Sequence, residues 1–159
     1  MYLKTGLLIL LLLPSLQKES AGKVCAVAGQ WRLDEVRSPN EKAKNVVWTI
    51  EVTRKGVHWL REFTLEGKAV KPILYMYSVG HSQGQLKSGT RWTRNAEFDE
   101  NRLIIRERLI SQPTLALDWN VYEFEVKDHG HTLHYKHTYG RDVAVRERVL
   151  YFRPAPKQK

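Results

Sequence analysis

The chain has 159 residues, and 26 lysines and arginines set against 17 aspartates and glutamates give it a formal charge of +9. A single cysteine excludes an internal disulfide, and this length predicts one domain burying roughly two thirds of its unfolded surface. The basic residues are dispersed rather than gathered in a tract, which argues against nucleic acid and leaves either a soluble exterior or a surface that docks on anionic envelope material.

At the start, Lys4 precedes the apolar run Leu7 to Leu13, Pro14 ends it, and polar Gln17 to Ser20 follow, which is the order of a secretory signal. The run is too short to span a bilayer, which takes roughly 20 apolar residues. Cleavage after Gly22 places Ser20 and Gly22 at the positions a signal peptidase inspects and is preferred; Ala26-Val27-Ala28 offers a second site farther from the apolar run. The expected organisation is a signal peptide over 1–22, a barrel domain over 23–153 and a loose tail over 154–159 in a secreted or periplasmic protein. Residues 1–22 hold Lys4, Lys18 and Glu19, a net +1, so the remainder carries +8.

Beyond the leader the chain reads as about eight or nine short strands separated by turn residues, with no helical period between them. The first covers Trp31 to Val36. In Val46-Val47-Trp48-Thr49-Ile50-Glu51-Val52-Thr53 alternation is strict, so Val46, Trp48, Ile50 and Val52 share one face. Arg54-Lys55-Gly56 turns the chain, and Val57, Trp59, Phe63 and Leu65 repeat the pattern before the turn Glu66-Gly67-Lys68. Further strands are expected at 73–79, 89–98, 102–111, 117–127, 131–138 and 143–153, with turns at Asp99-Glu100-Asn101, Asp128-His129-Gly130 and Gly140-Arg141-Asp142. Ser38 to Asn45 is the longest expected connection, and the loop Gly80 to Ser88 the next. Consecutive antiparallel strands joined by short turns make a meander, so the fold class is all-β, an antiparallel up-and-down barrel.

Gly29-Gln30-Trp31 is a G-x-W sequence opening the first strand shortly after the leader, and it resembles the signature of the lipocalins and the wider calycin barrels. The stretch Gly29 to Asp34 together with Val47-Trp48-Thr49-Ile50-Glu51 is also similar to a group of small secreted bacterial proteins with lipocalin-like barrels and no settled function. The closing Leu150-Tyr151-Phe152-Arg153 extends the resemblance over most of the chain beyond the leader. It implies structural roles for Gly29 and Trp31, with Trp31 plugging the closed end under an arginine near the last strand, Arg148 or Arg153. It also implies small apolar ligands as a class. The disulfide and the helix after the barrel that lipocalins commonly carry are absent from the pattern.

Alternation places several polar residues on the inward faces. Arg61 lies between Trp59 and Phe63, Arg94 between Trp92 and Ala96, Glu147 between Val145 and Val149, and Tyr75 and Tyr77 flank Met76. An enclosed charge is costly unless paired, so Arg61 and Arg94 are expected to meet Glu107 and Glu147 or an acidic ligand. The candidate ligand-binding set is therefore Trp48, Trp59, Arg61, Tyr75, Tyr77, Trp92, Arg94 and Glu147, with an amphiphile's acid group on Arg61 or Arg94. The competing reading is a narrow barrel filled by its own side chains.

Two motifs suggest other chemistry. Gly80-His81-Ser82-Gln83-Gly84 matches the G-x-S-x-G nucleophile elbow, but the elbow needs a helix after the serine, and Gln85 to Thr90 shows no helical period. The run His129 to His137 is rich in histidine, yet His131 and His137 would stand roughly 20 Å apart on a strand rising about 3.3 Å per residue, too far for one ion. No metal and no cofactor are expected. The function expected is a non-enzymatic extracytoplasmic binder of a small apolar or amphipathic molecule. The alternatives are an envelope module docking through its basic exterior and, more distantly, a serine hydrolase using Ser82.

Overall fold

The computed structural model describes residues 25–111 and 114–156, so the expected signal peptide at 1–22 lies outside the described residues. The fold is all-β: β1 (Gly29–Leu33), β2 (Lys44–Val52), β3 (Gly56–Leu65), β4 (Lys68–Ala69), β5 (Ile73–Ser78), β6 (Gly80–Gln85), β7 (Arg91–Phe98), β8 (Arg102–Ile110), β9 (Leu117–Lys127), β10 (Thr132–Arg141) and β11 (Ala144–Pro154). The 3-10 turn Asp128–Gly130 is the sole helical element among the described residues. All pairings are antiparallel, and the neighbour order is β4-β3-β2-β1-β11-β10-β9-β8-β7-β6 with β5 also on β3. This is the expected up-and-down meander. Its strand count rises to eleven because the two-residue β4 and the strand β6 were not legible as strands.

The two ends of the sheet are joined by the chain itself. Ser78 stands opposite Gly56 on β3, the Val79 N–H donates to the Lys55 carbonyl at 3.1 Å, and Gly80 stands opposite Ala96 on β7. Gly80 makes this change of partner at φ +83°, a region that a side chain disfavours. No ladder joins β5 to β6 or β7 among the described residues, so the ring is not closed by hydrogen bonds. Side chains cross the seam instead: the Arg94 guanidinium lies 5.6 Å from the centre of the Tyr77 ring.

The stretch Gly80 to Ser88 therefore contains a strand where a loop was expected. Its Gly-Ser-Gln composition has no apolar face to betray it, because the facing wall needs small residues. A Cβ on Gly84 would fall 2.6 Å from the Trp92 indole that lies against it. The tail is likewise better anchored than expected: Pro154 stands opposite Trp31, and the Ala155 N–H donates to the Gln30 carbonyl at 2.9 Å.

One end of the barrel is sealed by Cys25 to Ala28. The Ala26 N–H reaches the Glu100 carbonyl in the β7–β8 turn at 2.6 Å, and Cys25 Sγ approaches the Arg102 carbonyl at 3.8 Å. Val27 is fully buried, and Trp31 Nε1 donates to its carbonyl at 2.8 Å. Among the described residues no arginine makes a cation–π contact with Trp31. Arg148 pairs with Glu41, and Arg153 lies 3.8 Å from Asp34. The arginines that stack on rings among the described residues are Arg37, Arg61 and Arg94.

The core fills the sealed half with the inward sides of β1, β2, β3, β8, β9, β10 and β11. Its largest fully buried side chains include Trp48, Trp59, Phe124, Phe152, Ile50, Leu103, Ile105 and Leu133. At the opposite end of the barrel, Gly140 on β10 is a packing requirement. A Cβ there would sit 2.0 Å from the Ala144 carbonyl oxygen and 3.0 Å from the Trp119 ring. Gly140→Ala is expected to cost about 1–3 kcal/mol, the usual range for overpacking. A urea midpoint equal to that of the unaltered protein would show that the β10–β11 hairpin opens without cost.

Candidate functional site

Register decides what faces the interior. Trp48 is the partner of Arg61, Trp59 of Tyr75, and Val57 of Tyr77, so β2, β3 and β5 form one continuous inner wall. Trp48 and Trp59 meet edge to face with ring centres 4.9 Å apart, and Tyr75 stacks on Trp59 at 5.0 Å. Arg61 lies above this pair, its guanidinium carbon 5.5 Å and 5.3 Å from the Trp48 and Trp59 ring centres and 5.9 Å from those of Phe63 and Tyr75. Five of the eight expected residues are thus brought together: Trp48, Trp59, Arg61, Tyr75 and Tyr77.

Arg94 and Trp92 stand on the facing wall, β7, with the Arg94 guanidinium 4.8 Å from the Trp92 ring centre. Arg94 Nε donates to Glu107 Oε1 at 2.8 Å across the β7–β8 pair, and Tyr122 Oη donates to Glu107 Oε2 at 3.2 Å. Glu107 is thereby satisfied by Arg94 and Tyr122. No described carboxylate pairs with Arg61, whose one side-chain hydrogen bond is a long one, 3.5 Å from Nη1 to Tyr75 Oη.

Glu147 is a correction. It is exposed on the outer face, paired with Lys136 at 2.8 Å. The parity of β11 is set by buried Leu150 and Phe152, so Arg148 and Arg146 take the inward positions, while Val145 is 62% exposed.

Sequence reasoning missed Tyr122, Tyr135 and His137, which complete the interior layer from β9 and β10. The alternation Leu133-Tyr135-His137-Tyr139 was the available signal. His137 stacks between Tyr122 and Tyr139, with ring centres 4.5 Å and 4.6 Å away, and its Nε2 lies 2.9 Å from Asn120 Oδ1. Burial, seconded by the positive charge of Arg61, pushes its pKa down to about 4. Burial raises the Tyr77, Tyr122 and Tyr135 hydroxyls well above the usual phenol range, with Glu107 adding to the effect at Tyr77 and Tyr122. Ring and phenols are neutral at pH 7. Of the other histidines after β9, His134 faces outward beside Tyr151, His129 lies within the turn that follows β9, and His131 caps it.

Ser82 stands inside β6 opposite Arg94, half-buried. The chain continues as strand to Gln85, so the strand-to-helix turn of a nucleophile elbow is not formed there. Four interior polar atoms, Trp48 Nε1, Trp59 Nε1, Arg61 Nε and Tyr77 Oη, are buried with no hydrogen-bond partner in the protein. No family model matches the chain, and no match is found among curated proteins.

The depressed pKa of His137 makes stability depend on pH in a known direction. The unfolded chain takes up its imidazole proton near the ordinary value of about 6.5, whereas the folded protein resists until about 4. Between these values the unfolded state binds more protons, so stability falls as pH falls through that window. His137→Asn is expected to flatten the change in urea midpoint between pH 7 and pH about 4.5, and an unchanged slope would assign the loss to other groups.

Proposed function

We propose that the protein binds a small apolar or amphipathic molecule inside the barrel, outside the cytoplasm, and holds it without chemical conversion. The observation that carries this reading is the unpartnered set Trp48 Nε1, Trp59 Nε1, Arg61 Nε and Tyr77 Oη. Each buried donor left unpaired costs on the order of 1–3 kcal/mol, and native cores avoid such atoms. Their grouping on one wall, ringed by aromatic faces, is the composition of a ligand site: mostly apolar surface with a few convergent polar groups. The lipocalin-like pattern around Gly29 and Trp31 supports the same reading.

The exterior favours docking on anionic surfaces less. Several of its cations on β8 and β10 are met by acids, Arg102 with Glu123 at 2.6 Å, Arg106 with Glu97 at 2.5 Å, and Arg141 with Asp118 at 2.7 Å, whereas exposed Arg91, Arg108 and Arg146 form no such pair among the described residues. Each such pair leaves less free charge to attract a polyanion.

Two dyes of unlike charge test the binding reading, neutral phenylnaphthylamine and anionic anilinonaphthalene sulfonate. At least one is expected to saturate at one per chain and to quench tryptophan emission. It should also hold in about 1 M salt, where the screening length is only about 3 Å. Failure of both dyes to saturate, or binding that salt abolishes, would overturn it.

A further inference from the structure

We infer that the molecule held at Arg61 carries a single negative charge on a compact oxyanion, such as a carboxylate or sulfonate, presented by an apolar body. The inference rests on the binding reading above and specifies the chemistry of its occupant.

Hydrogen-bonding demand in the interior is one-sided. An indole N–H and a guanidinium N–H can only donate, and the Tyr77 hydroxyl, kept neutral by burial, has a proton to give. The remaining unpartnered atom, Glu41 Oε2, already faces the cation of Arg148. A guest that meets any of these donors, Arg61 foremost, therefore brings acceptors rather than donors.

The charge count gives the sign and size. Arg94 is neutralised by Glu107 and Arg148 by Glu41, while Arg141 and Arg146 are exposed and lie outside the enclosure. His137 is uncharged at pH 7, as are Tyr122 and Tyr135 around it. Among the described residues Arg61 alone keeps an unmatched positive charge inside this layer. One negative charge brings the enclosure to neutrality. A dianion would leave an excess negative charge facing Glu107, and a neutral guest would leave Arg61 as it is. Ordered water can satisfy the donors, but it cannot cancel the charge.

Trp48 and Trp59 also fix the direction of the guest. They are 1% exposed and fill the space beneath Arg61, so an apolar body must extend from the anion toward the open end, past Phe63.

Three molecules with one tail and different heads decide the matter: octanesulfonate, octanol, and octyl phosphate at pH about 8.5, where its second proton is lost. Measured by tryptophan quenching, octanesulfonate is expected to bind roughly tenfold or more tightly than either of the others. Arg61→Met should erase that preference. Because Arg61→Met also alters the packing around Trp48 and Trp59, Tyr77→Phe supplies an independent reading. Removing an unpartnered buried hydroxyl should leave the unliganded protein as stable or more so, while weakening octanesulfonate several-fold and leaving octanol unchanged. If octanol binds as tightly as octanesulfonate, the binding site stands but its anion selectivity falls. Octyl phosphate binding as tightly as octanesulfonate removes the single-charge assignment. Binding of none of the three would remove the site itself.

Discussion

The edge-to-face contact between Trp48 and Trp59 is the constraint around which the interior is arranged. Both indoles are fully buried, and between them they touch Phe124, Tyr135, Phe152, Tyr75 and Tyr122 from four further strands. Such aromatic pairs add about 0.5–1.5 kcal/mol beyond the apolar area they bury. Their larger effect here is geometric. Two rings of this size, offered by neighbouring strands, divide an apolar half, floored by Val27 and Trp31, from a half lined with tyrosine, histidine and arginine.

Above that division the interior is electrostatically ordered. Each enclosed carboxylate has a cation and each enclosed cation a carboxylate, with Arg61 as the exception among the described residues. The exception is tolerated because four aromatic faces surround the guanidinium, and a cation over a ring recovers part of the energy lost on leaving water. Cation–π contacts neutralise nothing, however. The field of Arg61 still reaches His137 across the lumen and helps to keep it unprotonated. Leaving Arg61 without a carboxylate lowers stability at this layer, a local inconsistency of the kind folds retain at few positions.

Much of this arrangement was legible in the sequence. Period-two alternation identified β2 and β3, placed Trp48, Trp59 and Arg61 on one face, and named Glu107 as a partner for an inward arginine. It failed where both faces of a strand carry apolar residues. In β11, Val145 and Val149 mimic a buried row around Glu147, although the true inward row is Arg146, Arg148, Leu150 and Phe152, polar at one end because it rises toward the open end of the barrel. It failed again at β6, where Gly84 is small because the Trp92 indole occupies the space a side chain would need. Such requirements belong to the facing strand and leave no trace in local periodicity. His137 was visible as an alternating neighbour of Tyr135, but the ring stacking that makes it part of the wall comes from β9, on a different segment of the chain.

The floor formed by Cys25 to Ala28 has a chemical consequence. Cys25 is completely shielded, and burial raises its thiol pKa above the ordinary range, so little thiolate forms and oxidants have no approach to the sulfur. The one cysteine is thereby rendered redox-silent. It serves as a small hydrophobe at the edge of the core, and copies of the protein will not become covalently linked through it while the fold is intact.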